Sequence, residues 1–101
     1  MAHLYDPLHP AVLQLIAHTI RGAKHAKTPV AVCGEMAGDA AMTRLLLGFG
    51  LREFSMHPAQ LLAIKQQVLR TRIREVEGAA ARVYRAHDTG RARALLAKLN
   101  A

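Results

Sequence analysis

A single cysteine, Cys33, stands in 101 residues, so no disulfide can form within the chain. That excludes a disulfide-stapled secreted scaffold and any Cys-x-x-Cys pair for metal or redox work. Tryptophan is absent and aromatics make up 4%, which leaves aliphatic side chains and alanine to fill a core. Acidic residues are scarce, 7 Asp plus Glu against 14 Lys plus Arg, for a formal net charge of +7. Long apolar runs are missing as well. Leu45-Leu46-Leu47, leading into Phe49 and Leu51, falls far short of the ~20 residues a membrane span needs. Met1 to Pro10 carries His3, Asp6 and two prolines rather than the apolar stretch of a signal peptide. The expectation is a protein without membrane insertion, in a reduced, cytoplasmic-type compartment.

What is present is the composition of a folded domain, 51% hydrophobic and 21% charged. The basic excess is uneven. From Lys65 onward nine cations (Lys65, Arg70, Arg72, Arg74, Arg82, Arg85, Arg91, Arg93 and Lys98) face only Glu75, Glu77 and Asp88. Such a tail raises the question of nucleic acid. No recognition-helix turn, zinc-ligand set or aromatic stacking motif accompanies it, and only Tyr84 among the aromatics lies there. The charge is therefore read as the solvated face of amphipathic helices, with no nucleic-acid partner.

Pro10 suits the first turn of a helix, and Leu13, Ile16, Ile20 and Ala23 recur at spacings of three and four to about Ala26. The period then changes. Pro29-Val30-Ala31-Val32-Cys33 reads as a strand covered on both faces. Asp39 is the expected cap of a helix over 39–48 carrying Met42, Leu45 and Leu46, ended by Gly48-Phe49-Gly50. A second strand is expected over 53–56. His57-Pro58 opens a helix with Leu61, Ile64 and Val68 on one face, and Ile73, Val76, Ala80 and Val83 continue a helical stripe after a break at Thr71. His87-Asp88-Thr89-Gly90 reads as a turn before a short helix lined by Leu95, Leu96 and Leu99.

The predicted order is α-β-α-β-α-α-α, an α/β pattern in which strand, helix and strand form one right-handed βαβ unit. Two parallel strands do not make a stable sheet, and only His3-Leu4-Tyr5 offers a weak third. The sequence thus reads as part of a larger parallel sheet or barrel, completed by other residues or another chain.

Cys33 closes its strand and meets a glycine-containing loop. Active sites of parallel α/β folds form at the carboxyl ends of strands. A thiol there can be nucleophile, ligand or proton donor, or an inert small hydrophobe, and spacing alone leaves all of these open. Among the histidines, His18 and His25 lie about 10.5 Å apart along a helix, too far to share one ion. His3 and His9 flank a proline segment with too few partners for a metal. His57 shares the barrel end of Cys33 and reads as a surface or capping residue.

Val32-Cys33-Gly34-Glu35-Met36-Ala37-Gly38-Asp39, with Gly50-Leu51-Arg52-Glu53-Phe54-Ser55-Met56 downstream, closely resembles the C-terminal end of the phosphoenolpyruvate-protein phosphotransferases. These are the enzyme I family of the bacterial sugar phosphotransferase system. The resemblance runs from about His3 to Val68 and more loosely beyond. It implies that the two strands are the last two of a (β/α)8 barrel, with 1–70 supplying barrel elements and 71–101 terminal helices of one partial domain. It also implies that Cys33 matches the family's catalytic cysteine, the proton donor to the enolpyruvate left when phosphoenolpyruvate loses its phosphoryl group to a histidine. Such a donor must be neutral near pH 7 and held on a rigid strand end. The further implied partners are phosphoenolpyruvate or pyruvate, the histidine-containing phosphocarrier protein, and a second copy in a homo-oligomer.

The resemblance further implies Mg2+ in the intact enzyme, with its carboxylates, the phosphate-clamping arginines and a phosphate-contacting Asn all upstream of the matched region. Glu35 and Asp39 are tempting metal ligands, yet read better as a loop-fixing acceptor and a helix cap. Arg44 reads as a helix-surface charge. The expectation is an isolated chain inactive toward phosphoenolpyruvate. The alternative is a non-catalytic module that self-associates or pairs with an intact barrel enzyme.

Overall fold

Asp6 accepts the Leu8 amide on Oδ1 at 2.9 Å, and its carbonyl accepts the His9 amide at 3.0 Å. This turn delivers the chain into α1, Pro10–His25, in the computed structural model, which describes residues 6–101. The weak strand candidate His3-Leu4-Tyr5 lies outside the described residues. Pro10 occupies the first turn, where its missing N–H costs nothing, and Leu13, Ala17 and Ile20 form the buried stripe. His9 caps the helix, its Nδ1 accepting the Ala11 amide at 3.1 Å.

The expected βαβ unit is present. Strands β1, Val32–Cys33, and β2, Phe54–Ser55, pair in parallel with Val32 opposite Phe54 and Cys33 opposite Ser55. Helix α2, Ala40–Phe49, connects them. Both strands are shorter than the expected 29–33 and 53–56, because each has one hydrogen-bonded neighbour among the described residues and Pro29 has no amide to donate. Burial on both faces is also not observed. Val30, Val32 and Phe54 pack against the helical core, whereas Ala31, Cys33 and Ser55 are exposed on the other face.

Helix α2 holds the molecule together. Met42, Thr43, Leu45, Leu46 and Leu47 are all buried, a nearly all-round pattern expected of a helix packed on more than one side. The next elements explain it. After a 3₁₀ turn, Pro58–Gln60, come α3, Leu61–Leu69, then α4, Ile73–Tyr84, and α5, Thr89–Asn100. Helices α4 and α5 pack on α2, burying Val76, Ala80, Val83, Ala92, Leu95, Leu96 and Leu99 with its leucines. Each fully buried leucine of α2 contributes about 2 kcal/mol. The N-terminal carbonyls of α2 are also tied down, Ala40 accepting from Gln67 Nε2 at 3.2 Å and Ala41 from Asn100 Nδ2 at 2.9 Å. At the other end Gly50 takes the left-handed cap conformation (φ 110°), and Arg52 Nη1 donates to the carbonyls of Leu47 and Leu51 at 3.0 and 2.8 Å.

Two expectations about the later helices need correction. Of the stripe Leu61, Ile64 and Val68, only Ile64 is buried, since no element among the described residues covers the rest of that face. The expected turn over 87–90 holds for His87 and Asp88, where the chain bends, whereas Thr89 and Gly90 already begin α5 with Asp88 as its cap. No helix among the described residues is long and apolar enough to cross a membrane.

The α2–α4 approach depends on Gly48. A Cβ there would lie 2.5 Å from the Ala80 Cβ and 2.7 Å from the Val76 carbonyl oxygen, and backbone cannot yield as a flexible side chain could. Gly48→Ala is therefore expected to cost about 1–3 kcal/mol in denaturant unfolding. Gly78, inside α4, has nothing within 4 Å of a built Cβ. Gly78→Ala is expected to stabilise by about 0.5–1 kcal/mol through helix propensity alone. Equal effects of the two changes would contradict the packing described.

Candidate functional site

The parallel pairing brings two strand ends together on the open face of the sheet. Cys33, a free and exposed thiol, ends β1, and Ser55 stands opposite it in register on β2, about 4.8 Å away between strand axes. The backbone turns immediately after the thiol. Gly34 has φ 81°, a left-handed conformation that a side chain would strain. The loop then closes on itself through Gly38 N–H to Gly34 O at 3.2 Å and Asp39 N–H to Met36 O at 3.3 Å. These backbone turns, not the Glu35 carboxylate, fix the loop, and Glu35 is exposed. A thiol at the end of a paired strand, followed by a hydrogen-bonded turn, is held by backbone rather than by a mobile segment.

Asp39 behaves as a cap. Its Oδ1 accepts the Ala41 amide at 2.9 Å, at the N-terminus of α2. The residues present do not fit a Mg2+ site. No three His, Cys, Asp or Glu side chains converge to hold a metal among the described residues, and Asp39 is already engaged at the helix end. His57 is exposed at the carboxyl end of β2 and makes no side-chain capping bond, so it shares the end of the sheet with Cys33 without acting as a cap. Arg44 is not a freely solvated surface charge. It is half-buried, and its Nε is buried without a hydrogen-bond partner. His18 pairs with Tyr84, whose hydroxyl lies 2.8 Å from its Nε2.

Sequence reasoning overlooked Ser55 and the capping role of His9. Ser55 becomes visible only once the register is known, whereas His9 directly before Pro10 carries a readable signal of a helix start.

Residues 1–73 match the family described as PEP-utilising enzyme, PEP-binding domain. A phosphoenolpyruvate-protein phosphotransferase from Cupriavidus necator is 61% identical over 99 residues, 98% of this chain and 17% of that protein. Proteins of the same name from Buchnera aphidicola subsp. Schizaphis graminum and from Haemophilus influenzae are 38% and 48% identical over 88% and 67% of the chain. These alignments span 16% and 12% of the two relatives, so the chain corresponds to less than a fifth of each protein it matches.

Two outcomes follow from the geometry. Iodoacetamide should modify Cys33 in the native protein at a rate within about threefold of that in denaturant, because the thiol is exposed. Strong native protection would contradict the open sheet face. Asp39→Ala should lower stability by about 1 kcal/mol and leave that alkylation rate unchanged, as expected of a cap with no part in the thiol chemistry.

Proposed function

The chain belongs to the PEP-utilising enzymes, as part of their PEP-binding domain, and from that membership we propose that it contributes a catalytic strand pair to a phosphoenolpyruvate-protein phosphotransferase barrel. On this reading β1 and β2 are the last two strands of a (β/α)8 barrel, and the bare face carrying Ala31, Cys33 and Ser55 turns toward its interior. The whole enzyme passes the phosphoryl group of phosphoenolpyruvate to its own histidine and then to a phosphocarrier protein in sugar uptake. Cys33 acts at the other product. Its S–H bond breaks as a C–H bond forms at the methylene carbon of the pyruvate enolate that phosphoryl transfer releases, leaving a thiolate and pyruvate. Mg2+ belongs to the intact enzyme on this reading, and no residue of this chain is assigned to it.

The observation that carries the proposal is an exposed thiol at the carboxyl end of a parallel strand, the end at which barrel active sites form. Proton donation needs a group on a rigid support facing the substrate, and the paired strand and closed turn meet that need. A second reading, a non-catalytic module that works by self-association or by pairing with an intact barrel, is favoured by the apolar face of α3. There Leu61, Leu62 and Leu69 are 54%, 81% and 76% exposed.

Complementation separates the two. The chain alone should form no pyruvate from phosphoenolpyruvate with magnesium present. Mixed with the remainder of the Cupriavidus necator relative, it should restore turnover, and Cys33→Ala should reduce that turnover by about 100-fold or more. Restoration that ignores Cys33→Ala would remove the thiol from the chemistry. Failure to restore turnover, with stable self-association in sedimentation, would favour the second reading.

A further inference from the structure

We infer that the seam between α4 and α5 is a docking groove for an acidic, helical segment of a partner protein. Two clefts meet along this seam, one lined by Arg82, Arg85, His87, Asp88, Arg91 and Leu95, the other by Ala79, Arg82, Arg91, Leu95, Lys98 and Leu99. Arg82, Arg91 and Leu95 border both and make them one groove. Its four cations hold no ion pair among the described residues. The one ion pair found there, Arg93 to Asp6 at 3.2 Å, sits elsewhere on α5, since Arg93 is turned about 200° from Arg91. Asp88 is the only acidic side chain lining the groove among the described residues, and its Oδ1 already accepts the Arg91 amide at 2.7 Å as the cap of α5.

The shape of the charge selects the partner. Arg91 and Lys98 are seven residues apart, about 10.5 Å along α5, which matches carboxylates two turns apart on a facing helix. Arginine forks suit bidentate carboxylates. The floor between the cations, formed by Ala79, Leu95 and Leu99, is apolar and suits a helix with small aliphatic side chains beside its acidic row. A nucleic-acid backbone would find no aromatic platform there, because Tyr84 is engaged with His18 and Arg21 on the other side of α4. The groove lies outside residues 1–73, which match the PEP-binding domain.

The test uses the full chain and a fluorescent synthetic helix of about five turns bearing a Glu row flanked by Ala and Leu, followed by anisotropy at about 0.1 M salt. A DNA duplex and polyglutamate of equal charge serve as competing probes. The amphipathic peptide should bind most tightly. Arg82→Glu with Arg91→Glu should weaken it by about tenfold or more, while Arg70→Glu with Arg72→Glu should change it by less than about twofold. Circular dichroism checks the fold, and Arg82→Gln with Arg91→Gln, should the charge reversals unfold the chain, should still weaken the peptide measurably. Tighter binding of the duplex, peptide affinity indifferent to the groove substitutions, or no saturable binding would each overturn the inference.

Discussion

Everything in this structure depends on α2 being buried from two sides. One side accepts α4 at the shallow point Gly48 provides, and the rest meets α1, α3 and α5 in the core that Val32 and Phe54 pack against. A helix that was amphipathic in the usual single-stripe sense could cover a sheet but could not also seat α4 and α5. The consequence is a structure finished on one side and open on the other. Val32 and Phe54 pack against the helical core, and among the described residues the face of Ala31, Cys33 and Ser55 stays bare. The thiol owes its exposure to that asymmetry.

Much of this was legible in the residues, wherever a local interaction decides the outcome. Pro10 opens α1, Asp39 caps α2, and Gly50 ends it, each where short-range chemistry places it. What could not be read locally depends on neighbours. Pro29 to Cys33 has the composition of a strand buried on both faces, yet only Val32 and Cys33 pair, because strand length is set by the partner available. The stripe of Leu61 and Val68 marks a face suited to burial, but periodicity does not say whether anything covers it. His87-Asp88-Thr89-Gly90 has the residues of a turn, and the same Asp that favours turns also caps a helix, as Asp88 does. At the site Cys33 was recognisable from its motif, whereas Ser55 needed the register.

The two halves of the chain divide their roles physically. The strand ends offer a thiol, a hydroxyl and a hydrogen-bonded backbone turn. Arg82, Arg85, Arg91 and Lys98 instead line the seam of α4 and α5.

The account rests centrally on Cys33 as proton donor at the methylene carbon of enolpyruvate. The most direct measurement is exchange of the methyl protons of pyruvate with deuterated solvent, followed by NMR in the barrel assembled from this chain and the remaining strands. The account predicts exchange that slows by about 100-fold with Cys33→Ala while pyruvate still binds. Exchange at an undiminished rate in that variant would assign the proton to another group and contradict it.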